Sequence, residues 1–369
     1  MSNSYKLLPK YAYSAKVIES FVFMDEFNFI FPIGKQLWTY NISSKELHFF
    51  HTCYSNNKQL LSISKEKSRI AIGENIHDIN DKKIIKDNKI MINIYQANTS
   101  EHLWTLIPSI EVVNNKNNSL VNIDISDDGN MLAIYVKYSK VIKNGKGIIL
   151  LYNIDAKQCI ARKELKEEIT NIQFNPEDSY LFSASGPTGY MKYLKYINNA
   201  LGEITLLKPN NIKPINIKTH LWYNPDLLIA VTTKNIVYIF SKGQIIQKIE
   251  GINQDNLILE DNTISCILIV KDCLLMATND GYIMIYKWNI MEKKFNYLKE
   301  IDTLYHKVIL HMHVNNEENT LIIAIADYGL LHYDLTNIEH MVVNTTNTDD
   351  ENLSIKNNTF TDLMKPCGN

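Results

Sequence analysis

Arginine is almost missing from this chain. Of 38 lysine and arginine residues, only Arg69 and Arg162 are arginine. Arginine makes the bidentate contacts to phosphates and base edges that lysine cannot, and the formal net charge is only -2. Neither fact favours a nucleic acid or an anionic membrane as partner. Cysteine is sparse as well. Cys53, Cys159, Cys266, Cys273 and Cys367 are odd in number and include no Cys-x-x-Cys pair, so a disulfide framework is not expected and the thiols read as reduced. No apolar stretch follows Met1, so no secretory leader is expected. The longest apolar runs, such as Ile264 to Val270, are the length of a strand and far short of a membrane span. A Gly-rich phosphate loop, Gly-x-Ser-x-Gly, His-Glu-x-x-His and heptads are all absent from the sequence.

What the chain does have is a period. Short apolar segments end on an aromatic residue at Tyr40, Tyr95, Tyr152, Tyr196, Phe240, Tyr286 and Tyr333, at intervals of 55, 57, 44, 44, 46 and 47 residues. Each copy has the same internal order: a strand, a tight polar turn, a second strand, and a third strand carrying the aromatic. The third copy is the clearest. Leu120 to Ile125 alternates apolar and polar, Ser126-Asp127-Asp128-Gly129-Asn130 is turn chemistry, and Met131 to Tyr135 and Gly147 to Tyr152 follow as strands. The first copy, from Phe21 to Tyr40, is the loosest. Strand-rich copies at this spacing predict an all-β fold, a seven-bladed β-propeller with degenerate repeats. Nearly continuous apolar second strands fit burial between neighbouring blades.

The propeller is expected over residues 1–343, with 344–369 as a polar linker or tail. Ala12 to Lys16 is expected to add an outer strand beside the last blade, or else Met341-Val342-Val343 closes that blade itself. Glu74 to Lys89 and Lys137 to Lys146 lengthen the second and third copies and read as solvated loops, with partner contact as the functional alternative.

The repeat order is that of WD-repeat propellers, although no Trp-Asp dipeptide closes a strand and no Gly-His pair opens a blade. The stretch Asp25-Glu26-Phe27-Asn28-Phe29-Ile30-Phe31-Pro32-Ile33-Gly34, followed by Tyr40-Asn41, resembles the first blade of the cilia- and flagella-associated protein 57 family. Similar in order and spacing are Leu61 to Ser64 with Ile70 to Ile72, Ile92 to Tyr95, Gln173 to Pro176 and Thr219 to Trp222. Phe360 to Met364 falls where that family passes into a second propeller. The resemblance covers essentially the whole chain, onto the amino-terminal propeller alone. The second propeller and coiled coil of the family do not occur in these 369 residues. The resemblance implies a cytoskeletal protein of the cilium or flagellum axoneme, a non-enzymatic scaffold that helps assemble or anchor inner dynein arms near the dynein regulatory complex. The implied partners are axonemal proteins and, indirectly, tubulin. A generic cytoplasmic WD-repeat adaptor in trafficking or ribosome assembly is the alternative, and an enzyme using the central channel is a third reading.

Few residues suggest chemistry, and no catalytic, cofactor or metal residue is expected. His311 and His313 flank Met312 and would share one strand face, with His306 and His332 near in sequence, so two metal ligands could sit side by side. A third ligand would have to come from another blade, and the plainer reading is two polar positions on a half-exposed face. Asp127, Asp128, Asn279 and Asp280-Gly281 read as turn formers, and Asp349-Asp350-Glu351 as a solvated run. Trp222 is expected in packing, while Trp104 and Trp288 are the better candidates for exposed partner anchors. The partner-binding surface stays unknown at this level.

Overall fold

The computed structural model describes residues 21–335, apart from 34–35, 53–59, 67, 78–87, 109–117, 143–144, 188–190, 206–215, 251–262, 304–305, 316 and 327–328. Every regular element among these residues is a strand, and the strands form seven antiparallel sheets in chain order. The first sheet holds β1 (Val22–Phe23), β2 (Asn28–Ile33), β3 (Gln36–Asn41) and β4 (Leu47–Thr52). The second holds β5 (Leu60–Ile63), β6 (Arg69–His77), β7 (Asn88–Gln96) and β8 (His102–Leu106). The third has β9 (Ser119–Ile125), β10 (Met131–Ile142), β11 (Gly145–Asn153) and β12 (Gln158–Leu165), and the fourth β13 (Asn171–Phe174), β14 (Leu181–Ser185), β15 (Met191–Ile197) and β16 (Ala200–Thr205). The fifth has β17 (Ile217–Asn224), β18 (Leu227–Thr232), β19 (Val237–Ser241) and β20 (Gln244–Ile249), and the sixth β21 (Ile264–Val270), β22 (Cys273–Thr278), β23 (Tyr282–Asn289) and β24 (Lys294–Asp302). The seventh shows three strands among the described residues, β25 (Ile309–Val314), β26 (Thr320–Ile325) and β27 (Gly329–Asp334). This is the expected all-β, seven-bladed β-propeller.

The chain divides into two compact units, one of Met1–Thr52 with Leu268–Asn369 and the other of Cys53–Ile267. Blades two to five belong to the second unit. Blades one and seven belong to the first, with most of blade six. Both proposed closing segments, Ala12 to Lys16 and Met341 to Val343, lie outside the described residues, as do the 343/344 boundary and the 344–369 tail.

The periodic aromatics all fall in the third strand of their blade, six of the seven at its penultimate position. Tyr40, Tyr95, Tyr152, Phe240 and Tyr286 are buried there. In four blades the fourth strand bulges directly opposite the aromatic, with the register slipping between Ile94 and Tyr95, Leu151 and Tyr152, Ile239 and Phe240, and Ile285 and Tyr286. A bulge adds twist and breaks the flat hydrogen-bonding edge that a fourth strand would otherwise expose. The second strands β18 and β22 are buried along their whole length, as their apolar runs require.

The two insertions are corrections to the loop reading. Glu74 to His77 stays in β6 and pairs with Asn88 to Met91 of β7. β10 likewise runs to Ile142, and Ile142 pairs with Gly145 across a register shift. Both segments are polar, yet backbone pairing continues through them, so they are strand ends that outgrow the apolar blade core rather than loops. Residues 78–87 and 143–144 lie outside the described residues.

Candidate functional site

The first strand of a blade is the edge of its own sheet, so alternate backbone N–H groups on it have no ladder partner. The sequence answers this with polar side chains at alternate positions. In β9, Asn122 Oδ1 accepts the N–H of Ile172 at 3.2 Å and Asp124 Oδ2 accepts that of Phe174 at 2.7 Å, both in β13. One blade on, Asn171 Nδ2 donates to the carbonyl of His220 at 3.2 Å, and Gln173 Oε1 accepts the N–H of Trp222 at 3.1 Å, both in β17. Within the second unit, residues i and i+2 of one first strand thus hold residues i and i+2 of the next. Ser62 of β5 joins the series, accepting from the Ile125 N–H at 3.0 Å and donating to Asp124 Oδ1 at 2.9 Å.

His311 and His313 occupy the same alternate positions in β25. They do share a face, with ring centroids 6.4 Å apart. Their nitrogens meet the backbone of β1 and of Phe21 just before it, in the same unit. His311 Nε2 lies 3.1 Å from the carbonyl of Phe21 and must donate to it. His313 Nδ1 lies 2.9 Å from the Val314 carbonyl and 3.5 Å from the Phe23 N–H. One nitrogen cannot both donate and accept, and the shorter contact makes it a donor, so His311 is the stronger link. The His311 ring also stands edge-on to Phe21, 4.9 Å between centroids. Phe21, Phe23, Phe29, Phe31 and Tyr40 form one buried cluster here with Ile322, Ala324 and Leu330. His306 packs beside Tyr282 at 6.0 Å, and His332 sits in β27 opposite Ile322. Among the described residues, no group of three His, Cys, Asp or Glu side chains could hold a metal ion.

Two titratable groups of this network are strongly perturbed. Asp124 keeps a little exposed surface, yet protein crowds it from three blades. Burial pushes its carboxyl up to about 7, the Phe174 N–H and the Ser62 hydroxyl pull the other way, and the charge of Asp127 adds to the rise. His220 is 2% exposed and burial pulls it down to about 3. Ser183 Oγ donates to the Gln173 carbonyl at 3.1 Å, so at 2.7 Å from His220 Nε2 it accepts from the ring. Nδ1 is then the acceptor, taking the Ser185 hydroxyl at 2.6 Å. The imidazole is matched on both sides only when neutral.

The tryptophans separate. Trp222 is buried, stacks on Tyr193 at 5.1 Å and donates its indole N–H to the Gln173 carbonyl, a packing role between blades four and five. Trp104 is half-buried against Tyr152 of blade three, 6.1 Å between centroids. Trp288 packs edge-on to Phe295 at 4.9 Å, below an exposed turn at Ile290 and Met291. Arg69, one of the two arginines, crosses from blade two to donate to the Gly129 carbonyl at 2.9 Å and to pair with Asp155. Asp128 acts as a turn former: it accepts from Ser126 and from the Asn130 N–H, and also from Ser179 of blade four. Asn279 and Asp280-Gly281 form the turn between β22 and β23, where Thr278 Oγ1 donates to Asp280 and Gly281 has φ +90. Asp349-Asp350-Glu351 lies outside the described residues, with Cys53 and Cys367. Cys159, Cys266 and Cys273 form no disulfide.

Alternation is plain in Leu120 to Ile125, but a period of two does not by itself say what the polar side chains hold. The signal was there, since the polar pairs 122/124, 171/173 and 311/313 sit at equivalent places before the first turn. No known family profile and no curated protein matches the chain. Solved structures do. One chain in the crystal structure of the mitotic checkpoint complex superposes with a TM-score of 0.64 at 10% identity, over 88% of this chain and 92% of that one. The RRP9 WD40 repeats superpose at 0.60 and 11% identity over 85% of this chain and 88% of theirs, and U3-55K at 0.60 and 11% over 85% and 89%. At such identity the likeness is one of fold, and the fold of this chain is that of the WD40 β-propellers.

Proposed function

We propose that this chain is a non-enzymatic protein-interaction scaffold. One observation carries the reading: Asp124 and His220, two strongly perturbed titratable groups of the first strands, are engaged with neighbouring blades rather than aimed at a substrate. The groups left to meet a partner are on turns and outer strands, where Ile290, Met291, Tyr180, Ile197 and Tyr297 are exposed. That one structural neighbour is a chain of a protein complex supports the same reading.

Within it, the setting we propose is the axoneme of a cilium or flagellum, with inner dynein arm or dynein regulatory complex proteins as partners and tubulin reached indirectly. The support is the ordered resemblance running from Asp25 to Asn41 and through Trp222. Tagging the protein in its own flagellated cell tests this. Signal along the axoneme, with dynein-arm proteins in the pull-down, is the expected result. Diffuse signal with trafficking or ribosome-assembly partners would replace the axonemal setting with a cytoplasmic adaptor role.

A further inference from the structure

The outer strand of blade four differs from those of its neighbours. Among the described residues, β4, β8, β12, β20 and β24 each slip register against their third strand, so each of these outer edges is bent by a bulge. β16 pairs with β15 without a slip, from Ala200 opposite Ile197 to Thr205 opposite Lys192. Its outward backbone groups follow from one bond. The Tyr196 N–H donates to the Tyr180 carbonyl at 2.8 Å, toward β14. Leu201, opposite Tyr196, therefore turns its N–H and C=O away from β15, and so does Glu203 two residues on. Lys163 of β12 agrees, since its Nζ reaches the Leu201 carbonyl at 3.2 Å. A straight edge of this kind is a template for one more strand.

The two faces of this edge differ in chemistry. Leu201 and Glu203 look toward blade three, where Leu201 packs with Ala161 and Leu165 and where Lys163 lies. Lys192 holds the Glu203 carboxylate at 2.5 Å, while Lys163 stands 3.5 Å from it. Burial alone would raise the Glu203 carboxyl; the hydrogen bond and charge of Lys192, and after them those of Lys163, hold it below its ordinary range. Lys163 thus gives its hydrogen bond to a neutral carbonyl. A second carboxylate at this edge would offer it a charge-assisted bond, which is the stronger kind. Ala200, Gly202 and Ile204 make up the other face and are all exposed. A side chain built at Gly202 would meet only the Lys195 carbonyl, at 3.7 Å, so this face is a shallow apolar strip with room above it.

From this geometry we propose that β16 is a site of strand addition, taking an extended segment of a partner protein in which acidic and apolar side chains alternate. The added backbone pairs with Leu201 and Glu203. Its acidic side chains face blade three and draw the Lys163 ammonium off the Leu201 carbonyl, which frees that carbonyl for the new strand. Its apolar side chains cover Gly202 and Ile204. A second copy of this chain fits less well: pairing β16 with itself over Leu201 to Thr205 sets Glu203 opposite Glu203, two like charges face to face. The site rests on the scaffold reading, for which it names a surface and a partner chemistry, and it is independent of the axonemal setting.

The test uses the full chain and a short fluorescein-labelled peptide of alternating glutamate and valine. Beside it stand a lysine–valine peptide and a glutamate–valine peptide N-methylated at two successive residues, which blocks both backbone edges and keeps the side chains. Fluorescence anisotropy is expected to show the unmethylated glutamate–valine peptide binding about tenfold or more tightly than either control. Glu203→Pro removes an N–H that points outward, so the β15 ladder keeps its bonds, and it is expected to lose about tenfold or more in affinity. Glu203→Ala is expected to bind at least as well as the unaltered chain. Lys163→Met is expected to bring the glutamate and lysine peptides within about twofold of each other. No binding, equal binding of the methylated peptide, equal affinity of Glu203→Pro and Glu203→Ala, or an unchanged preference in Lys163→Met would overturn the proposal; the methylated peptide probes the unaltered chain and decides even where a variant does not fold. Concentration-dependent self-association in sedimentation that Glu203→Pro abolishes would overturn it too, since the occupant would then be a second copy. A protein from the pull-down that Glu203→Pro still binds would end this assignment and leave the scaffold reading standing.

Discussion

The β13-to-β17 junction in the second unit and the β25-to-β1 junction in the first place polar side chains at the same alternate positions, yet they hold by different physics. At the former, Asn171 and Gln173 reach backbone groups of His220 and Trp222, and both contacts are directional hydrogen bonds. At the latter, His311 makes one such bond in the strands, Asn315 donates to Glu26 across the following turns at 2.7 Å, and ring packing among Phe21, Phe23, Phe29 and Phe31 fills the junction between them. The difference teaches why the repeats are so degenerate. A first-strand edge asks only for a group that satisfies it; amide, carboxylate and imidazole all serve, and aromatic bulk makes up what a weaker bond lacks.

The comparison can be broken most forcefully at the aromatic junction. Phe29 is wholly buried, with Phe21, Phe23, Phe31 and Tyr40 around it. Phe29→Ala should cost about 3–5 kcal/mol in chemical denaturation. At the polar junctions the expected loss is smaller. Asp124→Ala leaves the Phe174 N–H and the Ser62 hydroxyl without their acceptor, for about 1–3 kcal/mol. Equal losses at both sites would erase the distinction.

Protonation separates the two kinds of junction further. Asp124 titrates near 7 in the fold against 3.8 ordinarily. The folded chain holds the extra proton, so this contribution is full below about 4 and lost as pH rises through about 7. His220 titrates near 3 against 6.5. Its contribution is full above 6.5 and lost as pH falls toward 3. The two oppose each other across most of the acid range. Relative to the unaltered chain, Asp124→Asn should lose stability as pH is lowered from 7 toward 4, and His220→Gln should gain stability as pH falls from 6.5 toward 3. Each difference curve approaches roughly 1.4 kcal/mol per pH unit at its steepest. Denaturant midpoints measured across that range give both signs, and two parallel curves would contradict the assignment.

Much of this was legible in the sequence. The aromatic period counted the blades, and Ser126 to Asn130 declared its turn through Asp and Gly chemistry. The bulges opposite Tyr95, Tyr152, Phe240 and Tyr286 were not legible, because a bulge depends on the register of the partner strand. Neither was the extension of β6 and β10 into lysine- and asparagine-rich sequence, where composition suggested loops and backbone pairing prevailed. The clasps were half-visible. Asn122, Asp124, Asn171 and Gln173 showed as an alternating polar face, but their partners lie about 50 residues further along the chain. The histidine pair was legible as two polar positions sharing one strand face, while the backbone of the first blade that they meet was not.

The central claim is that first-strand side chains satisfy the open backbone edge of the next blade. Native-state hydrogen exchange at the Phe174 amide tests it most directly. In Asp124→Ala that amide should exchange roughly tenfold faster or more, with the amides of β25 unchanged. Unaltered protection at Phe174 would mean that Asp124 does not hold that edge, and the account of the junctions would fail.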